Sequence, residues 1–167
     1  MATAGRRAKA DYSGRTVDLL LLKTVLDAPA YGVRVGIDVS DVEGRPMIVS
    51  GIEKMVQRFA LLFLNAMGST MFRPGHGTGL IPEVSSGRVY DMPSLEAAAA
   101  EANMMARTSM MSADDGLDTP DDELIASSEV TGLEFSRERS GVSISIKRTT
   151  QAGESFAFIV PVAVGVH

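Results

Sequence analysis

His76 and the glycines around it are the first candidates for chemistry. The segment Pro74-Gly-His-Gly-Thr-Gly79 places an imidazole, which can transfer protons near neutral pH, in a glycine-rich loop. A loop that binds phosphate through its backbone amides normally has a helix directly behind its glycines. Ile81 and Pro82 follow this loop, and no lysine stands where a P-loop requires one. The loop is therefore predicted to shape the chain rather than to bind phosphate.

Glutamates offer a second kind of chemistry, because hydrolysis of a glycosidic bond needs two carboxyl groups facing each other across that bond. Each candidate fits an ordinary structural position. Glu53 lies in the first turn of one predicted helix, Glu83 follows the glycine loop, and Glu96 lies in the first turn of a second predicted helix. The chain has three tyrosines, six phenylalanines and no tryptophan, so it is poor in the aromatic side chains on which sugars stack. No residue is predicted to be catalytic.

The acidic segment Asp114–Glu123 raises the question of a bound cation. Its carboxylates do not follow the spacing of a calcium-binding EF-hand loop. The chain also has no cysteine, which excludes disulfides and thiolate metal ligands. We therefore predict a solvated loop, with neither a metal nor a cofactor.

Length and charge predict one domain with a basic arm. A chain of 167 residues can bury one substantial core, which we place in residues 16–167. Residues 1–15 hold four bases, namely Arg6, Arg7, Lys9 and Arg15. They are expected to form an extended arm against an acidic surface of another chain.

The net charge of −5 disfavours nucleic-acid binding, and no apolar run is long enough to span a membrane.

A helix over Gly51–Met67 is the element expected to position the glycine loop. Its apolar residues recur every three or four positions, and Ser50 with Glu53 matches a capping box at its start. Gly68 is expected to close it in a left-handed conformation. Because Phe59–Leu64 is apolar all round, Leu61 or Leu64 is predicted to face a partner or a second core layer.

The rest of the chain predicts a second helix and a small sheet. The helix opens at Asp91 as its cap, and residues 81–90 before it are expected to be irregular or weakly extended. Strands are predicted for Tyr31–Val39 and for an antiparallel meander near the carboxyl end, whereas residues 17–26 could be a strand or a helix. The meander comprises residues 129–136, 142–149 and 156–164, and a short helical turn is expected over 121–127. The fold class is therefore α+β, with two main helices packed on a small antiparallel sheet.

The order of helix, closing glycine, Pro-Gly-x-Gly-Thr-x-Leu loop and terminal strands resembles one known family. It is similar to the small baseplate wedge subunit, or sheath initiator, of contractile phage tails, which recurs in type VI secretion baseplates. The closing strands that share the resemblance contain Phe156, Phe158 and Val160. The matching residues of the helix and the loop are Gly51, Gln57, Leu61, Leu64, Gly68, Pro74, Gly77, Thr78 and Leu80.

The resemblance implies a structural protein of the virion that is assembled in the host cytoplasm. Its expected partners are other baseplate wedge subunits and the tail sheath protein, with the tail tube as a further candidate, in six copies around the tail axis. In this family strands are exchanged with sheath subunits, so one of the three predicted carboxyl-terminal strands is expected to pair with another chain. Because the family also carries a lysozyme-like label, a peptidoglycan hydrolase is the alternative function.

One departure from the family lies before the first strand of the final sheet. The family places Glu-Pro-Arg there, a triplet that helps to dock the subunit in the baseplate. This chain reads Thr119-Pro-Asp-Asp-Glu-Leu-Ile125 and has no arginine in that region. Arg107, at the end of the second helix, is a candidate substitute for the docking arginine, and the region Asp121–Glu123 is the other.

Overall fold

A computed structural model describes residues 18–19, 48–115, 117–136 and 141–163. The predicted arm, the strand over 31–39 and Val164 lie outside these residues. Three helices are present in the described part: α1 (Gly51–Leu64), α2 (Leu80–Ser85) and α3 (Met92–Asp114). Two strands of two residues each, β1 (Asp18–Leu19) and β2 (Ile48–Val49), precede the helices and pair with each other. Three longer strands follow: β3 (Ile125–Ser136), β4 (Gly141–Thr150) and β5 (Ser155–Ala163).

The three longer strands form an antiparallel sheet in the order β3-β4-β5, as predicted. With the helices packed on one face, the fold class is α+β, also as predicted. The prediction of a helical turn over 121–127 is wrong for the second half of that segment, because β3 already begins at Ile125. That residue is buried and pairs with Thr150 of β4. Gly153, with φ of 84°, makes the tight turn between β4 and β5.

The core lies between the helices and the inner face of the sheet. Alternate residues of β4 point inward, so that Val142, Ile144 and Ile146 are buried. Phe59 of α1 reaches this layer and packs edge-on against Phe158 of β5, with ring centroids 6.0 Å apart. The two main helices and the sheet therefore share one apolar core.

The helix α1 starts and stops differently from the prediction. The backbone of Ser50 has the extended conformation of an N-cap, but its side chain makes no capping hydrogen bond. Instead, Glu123 accepts from the Gly51 N–H through Oε1 at 3.1 Å, so the predicted capping box is wrong. The helix ends at Leu64 rather than Met67, because Asn65 turns extended and Ala66 bridges to Thr78. Gly68 still has a left-handed φ of 82°.

The helix α3 begins as predicted. Asp91 accepts from the Ser94 N–H at 2.9 Å, and Ser94 Oγ accepts from the Asp91 N–H at 3.2 Å. Glu96 lies beyond the first turn rather than within it. The inner side of α3 is a stripe of small residues, of which Ala99, Ala102 and Ala106 are almost fully buried.

Residues 80–85 form the short helix α2, so the irregular segment predicted over 81–90 is wrong in its first half. Pro82 is the third residue of this helix, where its missing N–H is not needed by the helical ladder. Leu80 and Val84 project from α2 into the core. No helix in the described part of the chain combines the length and the apolarity that crossing a membrane requires.

Candidate interaction surface

The glycine loop between α1 and α2 is built around the buried side chain of Thr78. Its Oγ1 donates to the Phe63 carbonyl at 2.7 Å and accepts from the Leu80 N–H at 3.4 Å. Its backbone N–H donates to the Asn65 carbonyl at 2.8 Å, and its carbonyl accepts from the Met67 N–H at 3.0 Å. One residue thus joins the end of α1 to the start of α2, and the loop is anchored at both ends.

Gly77 permits the close approach on which this anchoring depends. Its φ is 116°, and a Cβ there would stand 2.5 Å from the Asn65 carbonyl oxygen. No other residue fits such a position without movement of the backbone. Gly68 closes the neck of the loop, because its N–H donates to the Pro74 carbonyl at 2.9 Å.

The tip of the loop presents two large apolar side chains. Met71 is 84% exposed and Phe72 is 90% exposed, although Gly77 and Thr78 at the base of the loop are buried. Two adjacent exposed apolar side chains on an anchored loop are a candidate for contact with another protein. Sequence reasoning missed both residues. The signal was available, because they are apolar residues between Gly68 and Pro74, in a segment already recognised as a loop.

The loop has little capacity for phosphate, although one of the two expected reasons is wrong. A helix does follow its glycines, since α2 begins directly after Gly79. However, several loop amides are already bound within the loop. The N–H groups of Gly68, His76 and Thr78 donate to the carbonyls of Pro74, Arg73 and Asn65. We conclude that the loop amides chiefly hold the loop itself.

Four of the eight predicted site residues on α1 and the loop lie inside the structure, whereas Gly68 and Pro74 are exposed. Gln57, Gly77, Thr78 and Leu80 are buried. Leu64 packs partly against the one apolar core, so contact of Leu61 or Leu64 with a partner or a second core layer stays a prediction. Leu61 is 41% exposed on the other side of the helix and remains open to a partner.

The sheet has two edges, and they differ in how far they are occupied. The central strand β4 pairs on both sides, which removes Val142–Thr149 from the candidates for pairing with another chain. The outer edge of β3 is partly used by α3. Asn103 Nδ2 donates to the Ser128 carbonyl at 3.2 Å, and Arg107 Nη2 donates to the Ala126 carbonyl at 3.2 Å.

Two irregularities further disfavour the edge of β3 for strand addition. The register with β4 shifts between Ile125 and Ser127 and again between Val130 and Gly132. Such bulges, together with charged side chains such as Glu129 and Glu134, are ways in which proteins protect an exposed strand edge. Arg107, considered as a docking arginine, thus binds its own chain at this edge.

The edge of β5 is regular and uncharged. It pairs with β4 without a register shift from Ser155 to Ala163, and no charged residue occurs in that range. The Thr150 N–H donates to the Glu154 carbonyl at 2.9 Å, so this pair shows which residues of β5 bond to β4 and which do not. Because ladder bonds alternate, Ser155, Ala157 and Ile159 direct their N–H and C=O groups away from β4. No described strand pairs with them.

The three predicted residues of β5 lie on its inner face. Phe158 and Val160 are buried, and Phe156 is half-buried against the same core. These side chains therefore fix the strand on its own domain. Contact with another strand would instead use the main chain of the alternate residues.

The acidic segment is tied down at both ends, which corrects the prediction of a solvated loop. Asp114 Oδ1 lies 2.9 Å from Arg58 Nη2, and Glu123 Oε2 lies 2.6 Å from Lys54 Nζ. Lys54 and Arg58 are one turn apart on α1. Both carboxylates are buried and each has a cation as partner, so they suit stabilisation of the fold rather than proton transfer. Among the described residues, no group of histidines and carboxylates could hold a metal ion.

Arg148 is a fully buried cation on the inner face of β4. It continues the alternation of Val142, Ile144 and Ile146, and its guanidinium Cζ lies 3.1 Å from the ring centroid of Phe59. None of its three nitrogens has a hydrogen-bond partner among the described residues. A cation over an aromatic ring gains about 0.5–2 kcal/mol, whereas taking an ion out of water costs several kcal/mol. The stack on Phe59 therefore offsets only part of the cost of burial.

A second arginine adds to this local excess of positive charge. Burial lowers the pKa of Arg148 to about 9, and repulsion by Arg107 contributes to that shift. Arg148 is still charged at neutral pH. Sequence reasoning missed this residue, although its place in the period-two pattern of β4 was a usable signal that it points inward.

Comparisons with protein families, with curated proteins and with solved structures find no match to this chain.

Proposed function

We propose that the chain is a structural, non-enzymatic subunit of a contractile-tail baseplate that templates sheath assembly by strand pairing. The proposal starts from the resemblance of α1, the glycine loop and the closing strands to the sheath initiator family. In that setting its partners are wedge subunits and the sheath protein, in a virion tail assembled in the host cytoplasm.

The observation that carries the proposal is the difference between the two sheet edges. Polar side chains of α3 bind carbonyls along β3, and bulges interrupt its register. Among the described residues, no side chain occupies the edge of β5 and no bulge interrupts its register, and the strand itself carries no charge. A regular, uncharged edge is the kind to which another chain adds a strand through main-chain hydrogen bonds.

Pro161 limits where the added strand can pair. It stands opposite Ser143 and therefore belongs to the set of residues that turn away from β4. Since proline has no N–H, the edge provides outward donors at Ser155, Ala157 and Ile159 but none at Pro161. The incoming strand is expected to pair along Ser155–Ile159, and the proline fixes its register.

The loop tip supplies a second contact in this proposal. Met71 and Phe72 are held on a loop whose base is anchored by Thr78 and Gly77. Because the loop is ordered before binding, little conformational entropy is lost on docking. We assign this tip to contact with a wedge subunit and the β5 edge to contact with the sheath.

Replacing Ala157 by proline tests the strand-pairing role. The A157P variant lacks one outward N–H but keeps every bond between β5 and β4, and A157V is the matched control that retains the amide. Sheath assembly on tail tubes is followed by electron microscopy with the cognate sheath protein, after circular dichroism has verified folding. We expect A157V to start full-length sheaths and A157P to start few or none.

Full-length sheaths with A157P would refute the strand-pairing role. The alternative function has its own test, because a peptidoglycan hydrolase would reduce the turbidity of a purified cell-wall suspension. The proposed structural protein leaves that turbidity unchanged.

A further inference from the structure

Arg148 is left with donors that nothing in the described chain accepts. The ring of Phe59 covers one flat face of its guanidinium, at 3.1 Å from Cζ to the ring centroid. The Nε, Nη1 and Nη2 atoms lie in the plane of the group, are buried, and have no hydrogen-bond partner among the described residues. A native protein rarely leaves the N–H donors of three buried nitrogens without an acceptor, so an acceptor is expected here.

Arg107 brings a second set of donors to the same place. Its Nε is also buried without a partner in the described chain, and its Nη2 donates to the Ala126 carbonyl. Arg148 is the strand partner of Ser128, whose Oγ is hydrogen-bonded to Asn103 on the same helix as Arg107. The two guanidinium groups therefore lie beside the same short stretch of β3.

We propose that Arg107 and Arg148 form a receptor for a carboxylate group supplied from outside the chain. One edge of the Arg148 guanidinium donates two parallel N–H bonds to the two carboxylate oxygens, and Arg107 donates a further bond. A planar carboxylate fits donors that lie in one plane above an aromatic ring. A tetrahedral phosphate would place at least two of its oxygens outside that plane.

Arg107 also provides the route into the site. Arg148 is fully buried, whereas Arg107 is half-buried, and its described bond to the sheet is the exposed one to the Ala126 carbonyl. Breaking this bond lets the Arg107 side chain move aside and return over the bound group. Burial lowers the pKa of Arg148, and repulsion between the two cations lowers it further; this repulsion is relieved when an anion lies between them.

The thermal midpoint of the full chain, measured in three sodium salts at equal ionic strength, tests the site. The salts are chloride, acetate and phosphate, and the variants are R148M and the control R88M, which removes an exposed arginine. We expect acetate to raise the midpoint of the wild type and of R88M by about 2–4 °C over chloride. R148M should show no such rise, and in chloride it should be at least as stable as the wild type.

Three results would overturn the proposal. The first is an equal effect of acetate on R148M and the wild type, and the second is a larger effect of phosphate than of acetate. The third comes from nuclear magnetic resonance of ¹⁵N-arginine-labelled protein, in which the Arg148 Nε–H signal is assigned by its loss in R148M. That signal should shift on addition of acetate. A signal that does not move on addition of acetate would be the third such result.

A peptide with a single glutamate among neutral residues identifies the source of the carboxylate. Tighter binding of this peptide than of acetate, with loss of binding in R148M, assigns the site to a side chain of another polypeptide. Equal binding of both assigns it to a small organic acid. Neither result depends on the strand-pairing function, since R148M leaves the outward groups of β5 in place.

Discussion

Lys54 and Glu123 form a buried ion pair across the molecule. The Nζ and Oε2 atoms are 2.6 Å apart, and the two side chains are 9% and 0% exposed. The other carboxylate oxygen of Glu123 accepts from the N–H of Gly51. Glu123 lies two residues before β3, so its carboxylate both caps α1 and neutralises a cation in the first turn of that helix, which fixes the helix relative to β3.

The pair predicts a large effect when one member is removed. The K54M variant leaves the Glu123 carboxylate buried without its cation, so it should lose about 3–5 kcal/mol of unfolding free energy. The double variant K54M/E123Q should recover part of this loss, because the amide is neutral and keeps an oxygen for the Gly51 N–H. Urea unfolding followed by circular dichroism measures both. K147M, which removes an exposed lysine, is the control, and a K54M effect as small as that of K147M would contradict the argument.

Local features of the fold were readable from the sequence. The cap of α3 needs only Asp91, Pro93 and Ser94, which are neighbours in the chain, and the alternation of β4 is visible in Val142, Ile144 and Ile146. Such patterns depend on backbone geometry over a few residues. The three-stranded meander could be predicted for the same reason.

Contacts between residues far apart in the sequence could not be predicted from it. Glu123 caps a helix that begins 72 positions earlier, so the local signal of Ser50 and Glu53 suggested the wrong cap. The burial of Asp114 depends likewise on Arg58, 56 positions away. An acidic run looks solvated until the cations that pair with it are placed in space. The same limit applies to the β3 edge, which Asn103 and Arg107 occupy only once α3 has packed.

Gly77 predicts a sharp contrast between two glycines of the same loop. The G77A variant puts a methyl group 2.5 Å from the Asn65 carbonyl oxygen at a φ of 116°. We expect the variant to lose about 1–3 kcal/mol of unfolding free energy from backbone strain. Gly75 has open space around its Cβ position, so G75A is the control and should change stability by less than about 0.5 kcal/mol. Equal unfolding midpoints for the two variants would show that the loop is not anchored as described.

The hydrogen bonds of Asp91 predict that the stability of the fold depends on pH in the acid range. Hydrogen bonds from the Ser94 side chain and backbone lower the pKa of Asp91 below 3.8. Because its folded-state pKa is lower than its unfolded value, its contribution is complete above pH 3.8 and is lost as the pH falls through the folded-state pKa.

The difference in thermal midpoint between the wild type and D91A should therefore be constant near neutral pH and shrink in acid. The S94A variant removes the side-chain hydrogen bond that lowers this pKa and keeps the backbone one, so its own difference from D91A should be smaller and should shrink at a higher pH. A difference between the wild type and D91A that stays constant down to pH 2 would exclude this role for the Asp91 carboxylate.

The exposure of Phe72 predicts that its replacement weakens binding to a partner and leaves the stability of the fold nearly unchanged. Its side chain is 90% exposed, so F72S should change the free energy of unfolding by less than about 0.5 kcal/mol. If the loop tip docks on a wedge subunit, loss of the aromatic anchor should weaken that contact by about 2 kcal/mol, or about 30-fold in Kd. Tyr90 is 80% exposed on the segment before α3, and Y90S is the matched control. Titration of each variant against purified wedge complex gives the two affinities. Equal affinities for F72S and Y90S would remove the loop tip from the docking surface, whereas a selective loss in F72S would assign the contact to the end of the loop that Thr78 and Gly77 hold in place.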